Sequence, residues 1–282
     1  MPNAILPVIG QGKFRRTTVQ SLSAISLTAS AQAQSQLDIP IYGDLIGIGF
    51  DVTCTASGTL STPTTVNHAI QEVSIKDKSG IAIWQGIRGS DLGMLENFRN
   101  LGRARTVTVL TGAANNYYTF IPCNIEQKDQ TARIQLTLAP YSDLASSGCT
   151  GASVNITVVA YYKDQSAITY TERFSRQTFT TTTGRNRLAS FLPQGSLITD
   201  VFFSGTEAYL SSIDFSENGA AELSGMTVAD LTALDNDRLT GGHVSTKFSL
   251  YVSPFKPNTT TVFDYVGQSS SDTVQLFLIE AR

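Results

Sequence analysis

The sequence predicts an all-β chain built from two tandem copies of one unit, each with room for about eight strands and one short helix. Three observations carry that prediction. Apolar, β-branched and aromatic residues alternate at period two along much of the chain, which is the spacing of half-buried strands. Only two stretches read as helical. One block of hairpin, glycine and Asp-Leu recurs in the second half. The length of 282 residues also suits two globular units at a usual domain size of about 150 residues.

In chain order, the strand signals are TVTVLTG (106–112), ARIQLTLA (132–139), SVNITVVAYY (153–162), KFSLYV (247–252) and TVQLFLIEA (273–281). The stretches KDKSG, SENG and PFKPN separate such runs, and their glycine, proline and Asn/Asp residues suit tight turns. The helical stretches are SDLGMLENFRNL (90–101) and TVADLTALDND (227–237). In the second, Thr227 and Asp230 have capping-box spacing, and Leu231 with Leu234 forms an apolar stripe.

GIAIWQGIRGSDLGML (80–95) aligns without a gap on GAAELSGMTVADLTAL (219–234). Gly80 falls on Gly219, Trp84 on Leu223, Gly86 on Gly225, Asp91-Leu92 on Asp230-Leu231, and Leu95 on Leu234. Dropping one turn residue lays Val73-Ser74-Ile75 over Ile213-Asp214-Phe215. IPIYGDLIGIGF (39–50) resembles FLPQGSLITDVF (191–202), and VNITVVAYY (154–162) resembles VQLFLIEAR (274–282). Blocks therefore recur in one order. Trp84, the chain's only tryptophan, stands where the second copy has Leu223, and Arg88 stands where it has Thr227. The repeat keeps apolar bulk, glycine geometry and a helix start, which assigns Trp84 to core packing over ligand stacking and Arg88 to the surface or an interface. Gly80 and Gly219 sit at hairpin turns that call for positive φ.

The division that follows is an N-terminal arm (1–21), a first copy (22–162), a linker (163–177) and a second copy (178–282). Eight strands avoid exposed edges as a closed barrel or as a two-sheet jelly roll, and the alternation leaves both open. The first copy is the longer, through CTASGTLSTPTTVN (54–67) and the segment 98–130, both read as surface loops.

Charged residues make up only 15% of the chain and the formal net charge is -3. No global positive field exists to hold phosphates, so direct coating of nucleic acid is not expected. Low charge suits a surface covered by neighbouring subunits. The local exception is Lys13-Phe14-Arg15-Arg16, where Lys13, Arg15 and Arg16 suit a lipid headgroup surface or a partner. Cys54, Cys123 and Cys149 are odd in number and widely spaced, which signals neither a zinc site nor a disulfide framework. KFRR followed by TTVQSLSAISLTASAQAQ mimics a secretory leader, but Ser, Thr and Gln interrupt its middle, so no signal peptide is expected. No segment has the roughly 18 consecutive apolar residues of a membrane span.

The order of strand, strand, turn, strand and acid-ended helix in FLPQGSLITDVFF (191–203) and YLSSIDFSENGAAELSGMTVADLTALDND (209–237), within a tandem duplication, resembles a known family. It is similar to the double jelly-roll major capsid proteins of icosahedral viruses with an internal membrane, in the corticovirus and tectivirus lineage that includes adenovirus hexon. The resemblance implies two tandem eight-stranded jelly rolls, each with one inserted helix. It also implies a homotrimer forming a pseudo-hexagonal tile of an icosahedral shell, with other capsid or vertex proteins and an internal lipid membrane as partners. In that setting Lys13, Arg15 and Arg16 become the candidates for membrane or neighbour contact. The long apical insertions of larger members have no room here. Some members bind calcium; the local candidate, Asp235-Asn236-Asp237, lacks a downstream carboxylate and has Leu239 at a ligand spacing, so it reads as the end of a helix.

No Gly-Lys-Ser/Thr phosphate loop, GxSxG elbow or HExxH motif occurs. His68 and His243 read as loop residues. Asp51, Glu72, Asp214 and Glu222 fall within strands, where half the positions face water, although a glycosidase-like carboxylate pair can join distant strands. Asn155 and Asn258 head Asn-x-Thr triplets of a Thr-rich chain. Two other function classes follow: a carbohydrate-binding surface protein, with Tyr117-Tyr118 and Tyr161-Tyr162 as candidate contacts, and a two-jelly-roll glycan hydrolase.

Overall fold

The computed structural model describes residues 14–40, 43–99, 107–126, 132–163, 170–188, 195–204, 209–217, 220–238, 247–250, 254–258 and 260–281. Described residues through Thr171 form one compact unit and those from Glu172 onward a second.

The first unit runs β1 (Phe14–Leu27), β2 (Ala33–Asp38), β3 (Asp44–Pro63), β4 (Ile70–Lys76), β5 (Ala82–Ile87), α1 (Gly89–Arg99), β6 (Ala114–Ile125), β7 (Arg133–Leu138) and β8 (Ala145–Lys163). Its strands pair antiparallel in the orders β1-β8-β3-β6 and β2-β7-β4-β5. The second unit runs β9 (Glu172–Thr180), β10 (Gly184–Arg187), β11 (Leu197–Ser204), β12 (Leu210–Glu217), β13 (Ala220–Thr227), α2 (Val228–Arg238), β14 (Lys247–Leu250), β15 (Val262–Gly267) and β16 (Thr273–Ala281). Its orders are β9-β16-β11-β14 and β10-β15-β12-β13. Counted from the start of each unit, both read first-eighth-third-sixth and second-seventh-fourth-fifth, with the helix after the fifth strand. This is jelly-roll connectivity in two open sheets, so each unit is a jelly roll and not a closed barrel.

Each core lies between its two sheets. In the first, Ile48, Phe50, Val52 and Cys54 of β3 are fully buried while Asp51 is exposed, the pattern of one wet and one dry face. Phe50 meets Trp84 of β5 at a ring separation of 6.5 Å. In the second, Phe203 of β11 stacks on Phe263 of β15 at 5.7 Å, with Phe215 of β12 and Leu231 of α2 in the same cluster.

The structure differs from the sequence reading in several stretches. Residues 54–63 are strand: β3 continues to Pro63, paired with β8 as far as Ala145. Beyond Ala56 this ribbon is exposed on both faces, so no apolar alternation marks it. Gly58 and Gly148 cross so closely that a Cβ on Gly58 would lie 2.1 Å from the Gly148 carbonyl oxygen, and one on Gly148 would lie 1.9 Å from that of Thr59. Within 98–130, β6 is likewise a strand. Its Pro122 is accommodated because β6 pairs only with β3 and ends its sheet. Conversely, of the stretch 106–112, residues 107–110 make only one bridge, Thr65 to Val109, because no longer strand lies alongside. β1 begins at Phe14 and β9 at Glu172, inside the stretches read as arm and linker.

Candidate functional site

The repeated block has the same backbone in both units. In the first, Val73 pairs with Ile87 and Ile75 with Trp84, so Gln85 and Gly86 together oppose Ser74. In the second, Ile213 pairs with Met226 and Phe215 with Leu223, so Ser224 and Gly225 oppose Asp214. Two residues against one is a β-bulge, and glycine takes its left-handed position: φ is +68° at Gly86 and +59° at Gly225. Gly80 also has positive φ, +82°; Gly219 lies outside the described residues. At each helix start an aspartate three residues on accepts the backbone N–H: Arg88 donates to Asp91 at 2.8 Å and Thr227 to Asp230 at 2.9 Å. Thr227 adds a hydroxyl that donates to Asp230 and accepts from its N–H, completing a capping box that Arg88 cannot form. Those hydroxyl and backbone bonds hold the Asp230 carboxyl below the usual carboxylate range. Leu92 and Leu231 are both fully buried, as is Trp84; Leu223 is half-buried and Arg88 exposed.

The residues read as an assembly arm are only partly described. Lys13 lies outside the described residues. Arg15 and Arg16 have their backbone in β1, opposite Tyr162 and Tyr161 of β8.

Several of the residues that could carry chemistry are held in structural contacts. His68 shares a hydrogen bond of 2.9 Å with Thr65 in a single 3-10 turn; His243 lies outside the described residues. Glu72 and Glu222 are exposed. Asp214 sits directly across from Asp264 on the neighbouring strand, a pair the sequence did not connect. Two facing carboxylates repel, and two arginines of β10 offset this. Arg185 reaches Asp214 at 3.2 Å and Asp264 at 3.3 Å, and Arg187 reaches Asp264 at 3.0 Å. Carboxylates held this way are ion-pair partners, not a free acid and base. Asp235-Asn236-Asp237 lies in the last turn of α2, and among the described residues no cluster of three or more His, Cys, Asp or Glu could hold a metal ion. Asn258 accepts the Thr260 N–H at 2.7 Å, an Asx turn, and Asn155 is exposed on β8. None of the three cysteines forms a disulfide, and burial, with a contribution from Cys149, pushes the Cys54 thiol up to about 11.

The described surface is polar and low in charge. Only Ile81 and Val109 are large exposed apolar side chains among the described residues. The outer face of β2-β7-β4-β5 carries a groove of about 480 Å³ lined by Gln34, Gln71, Glu72, Ser74, Gln135 and Thr137, among others.

The outer face of β1-β8-β3-β6 is different. The adjacent tyrosines separate to opposite faces, as strand geometry requires: Tyr117 and Tyr162 face the core, 2% and 0% exposed, while Tyr118 and Tyr161 face outward and are half-buried. Their hydroxyls hydrogen-bond to each other. Phe120 joins them, edge-on to Tyr161 at 4.7 Å. The floor is glycine. A Cβ on Gly47 would lie 2.3 Å from the Phe120 ring, and one on Gly49 would lie 3.2 Å from the Tyr118 hydroxyl. Asp51, exposed, is directly opposite Tyr118, and Thr53 donates to Asn116 Oδ1 at 2.8 Å beside it. The sequence pointed to both tyrosine pairs; Phe120 and the glycine floor emerge only from the pairing register.

No family model matches the sequence, and no curated protein does. Solved structures do match. The chain is similar to the crystal structure of the STIV MCP, of Sulfolobus Turreted Icosahedral Virus, with a TM-score of 0.71 at 12% identity over 96% of this chain and 97% of that one. It is similar to the major capsid protein P2 from bacteriophage PM2, with a TM-score of 0.67 at 11% identity over 95% and 97% of the two chains. It is similar to PBCV-1 VP54, with a TM-score of 0.61 at 10% identity over 96% and 94%. These likenesses span nearly the whole chain and show that it has the double jelly-roll fold.

Proposed function

We infer that this protein is a structural major capsid protein that works by assembly, not catalysis. The carrying observation is the pair of units with one strand order and one helix position, in a chain that matches viral capsid proteins end to end. In this reading three copies form a trimer whose six jelly rolls make a pseudo-hexagonal tile, and tiles join into an icosahedral shell in the virion, over an internal membrane and beside vertex proteins. Lys13, Arg15 and Arg16 contact the membrane or a neighbouring tile. Low charge supports the reading, since assembly faces tolerate few unpaired charges.

The test is the solution mass of the purified chain by light scattering, with negative-stain images of the same sample. The expected result is a particle of three times the 30.3 kDa chain with a near-hexagonal outline, or fragments of shell. A monomer at high concentration overturns the reading.

A further inference from the structure

We propose that the outer face of β1-β8-β3-β6 binds a neutral hexopyranose, with Tyr118, Tyr161 and Phe120 as the stacking platform and Asp51 and Asn116 as the hydrogen-bonding rim. A pyranose ring presents C–H groups on one face and hydroxyls around its edge. It is held by aromatic ring surface bordered by fixed polar groups.

The face supplies both. Phe120 lies against Gly47, and the tyrosines reach over Gly49, so the rings rest close to the sheet. A side chain at residue 47 would displace the Phe120 ring, and one at residue 49 would crowd the Tyr118 hydroxyl. The hydrogen bond between the tyrosine hydroxyls fixes the two rings relative to each other, so little freedom remains to be lost on binding. Tyr118, Phe120 and Tyr161 are each half-buried.

The rim decides between a sugar and a protein partner. Asp51 is opposite Tyr118 on the adjacent strand and exposed. Among the described residues its carboxylate makes no hydrogen bond or ion pair. Asn116 uses its Oδ1 for Thr53, and among the described residues its amide N–H groups meet no acceptor. A protein seated on these rings would bury a carboxylate and have to bring a cation to it. A polyol satisfies acceptor and donor with its own hydroxyls.

The experiment uses the full chain against a panel of neutral glucosides, galactosides and mannosides, read by saturation-transfer difference NMR, with the solution mass followed in parallel. At least one hexopyranoside is expected to bind at millimolar concentration and to show transfer to its ring C–H protons. Asp51→Asn should weaken it about tenfold or more with an unchanged unfolding midpoint, because Asp51 is exposed. Phe120→Ala should abolish transfer. No binding across the panel overturns the proposal, as does binding that Asp51→Asn leaves intact. Loss of the oligomer in Tyr161→Ala, with no sugar bound by the parent, also overturns it and makes the platform a contact between copies. A trimer that binds no sugar sinks only this inference, whereas a monomer that binds one sinks only the capsid reading.

Discussion

In the first unit the hairpin, bulge and helix lie under cover: Trp84 is fully buried and eight of the eleven residues of α1 are buried. In the second, the same path carries Leu223, half-buried, and α2 buries only Leu231 and Asp235. The pairing registers, positive-φ glycines and helix-start aspartates coincide nonetheless. Backbone instructions are local, so they persist wherever the block is placed. Side-chain volume answers to the surroundings, and it has diverged: a tryptophan fills the deep site and a leucine the shallow one.

The largest expected effect would test that contrast directly. Trp84→Ala should cost about 3–5 kcal/mol through the cavity it leaves, against about 1 kcal/mol for Leu223→Ala at its half-covered counterpart, measured by denaturant unfolding. Equal costs would break the contrast. A smaller effect would sharpen the shared part. No neighbour lies within 4 Å of a Cβ built on Gly225, so Gly225→Ala should cost only the strain of its φ, about 1–2 kcal/mol. Gly86→Ala should cost at least as much if the bulge geometry is what the repeat preserves.

The smallest effect concerns the helix start that is complete in only one unit. The folded Asp230 carboxyl titrates below its unfolded value of about 3.9 because Thr227 donates two bonds to it. Its contribution is therefore present above the unfolded pKa and lost as pH falls through the folded one. The urea midpoint of wild type should exceed that of Asp230→Ala at pH 7, and the gap should close below about pH 4. A gap that persists to pH 2 would remove the acid from the account of the cap.

What the sequence disclosed follows from which signals are local. The bulge glycines, Asp91 and Asp230, and the period-two runs of β7, β8 and β16 are readable because each depends on near neighbours. The outer half of β3 hid because an exposed ribbon needs no apolar alternation, and β6 hid behind Pro122. Residues 107–110 misled for the converse reason: alternation shows how side chains would face but not whether a strand lies alongside. The same limit governs the candidate sites. Tyr118 and Tyr161 were visible as residues, but their meeting above Gly49 depends on β3 lying between β6 and β8. Asp264 became relevant only when its strand was placed beside that of Asp214.

The crossing of Gly58 and Gly148 carries a lesson about drift. Exposed positions usually accept whatever mutation supplies, and this ribbon is exposed on both faces. Yet at these two positions the obstacle is a carbonyl of the opposite strand, which has no rotamer into which to retreat. Descendants of this chain should vary freely along the ribbon while these two residues stay as fixed as any in the interior, so that a profile of variation would mark an invariant pair on the surface with no ligand to explain it.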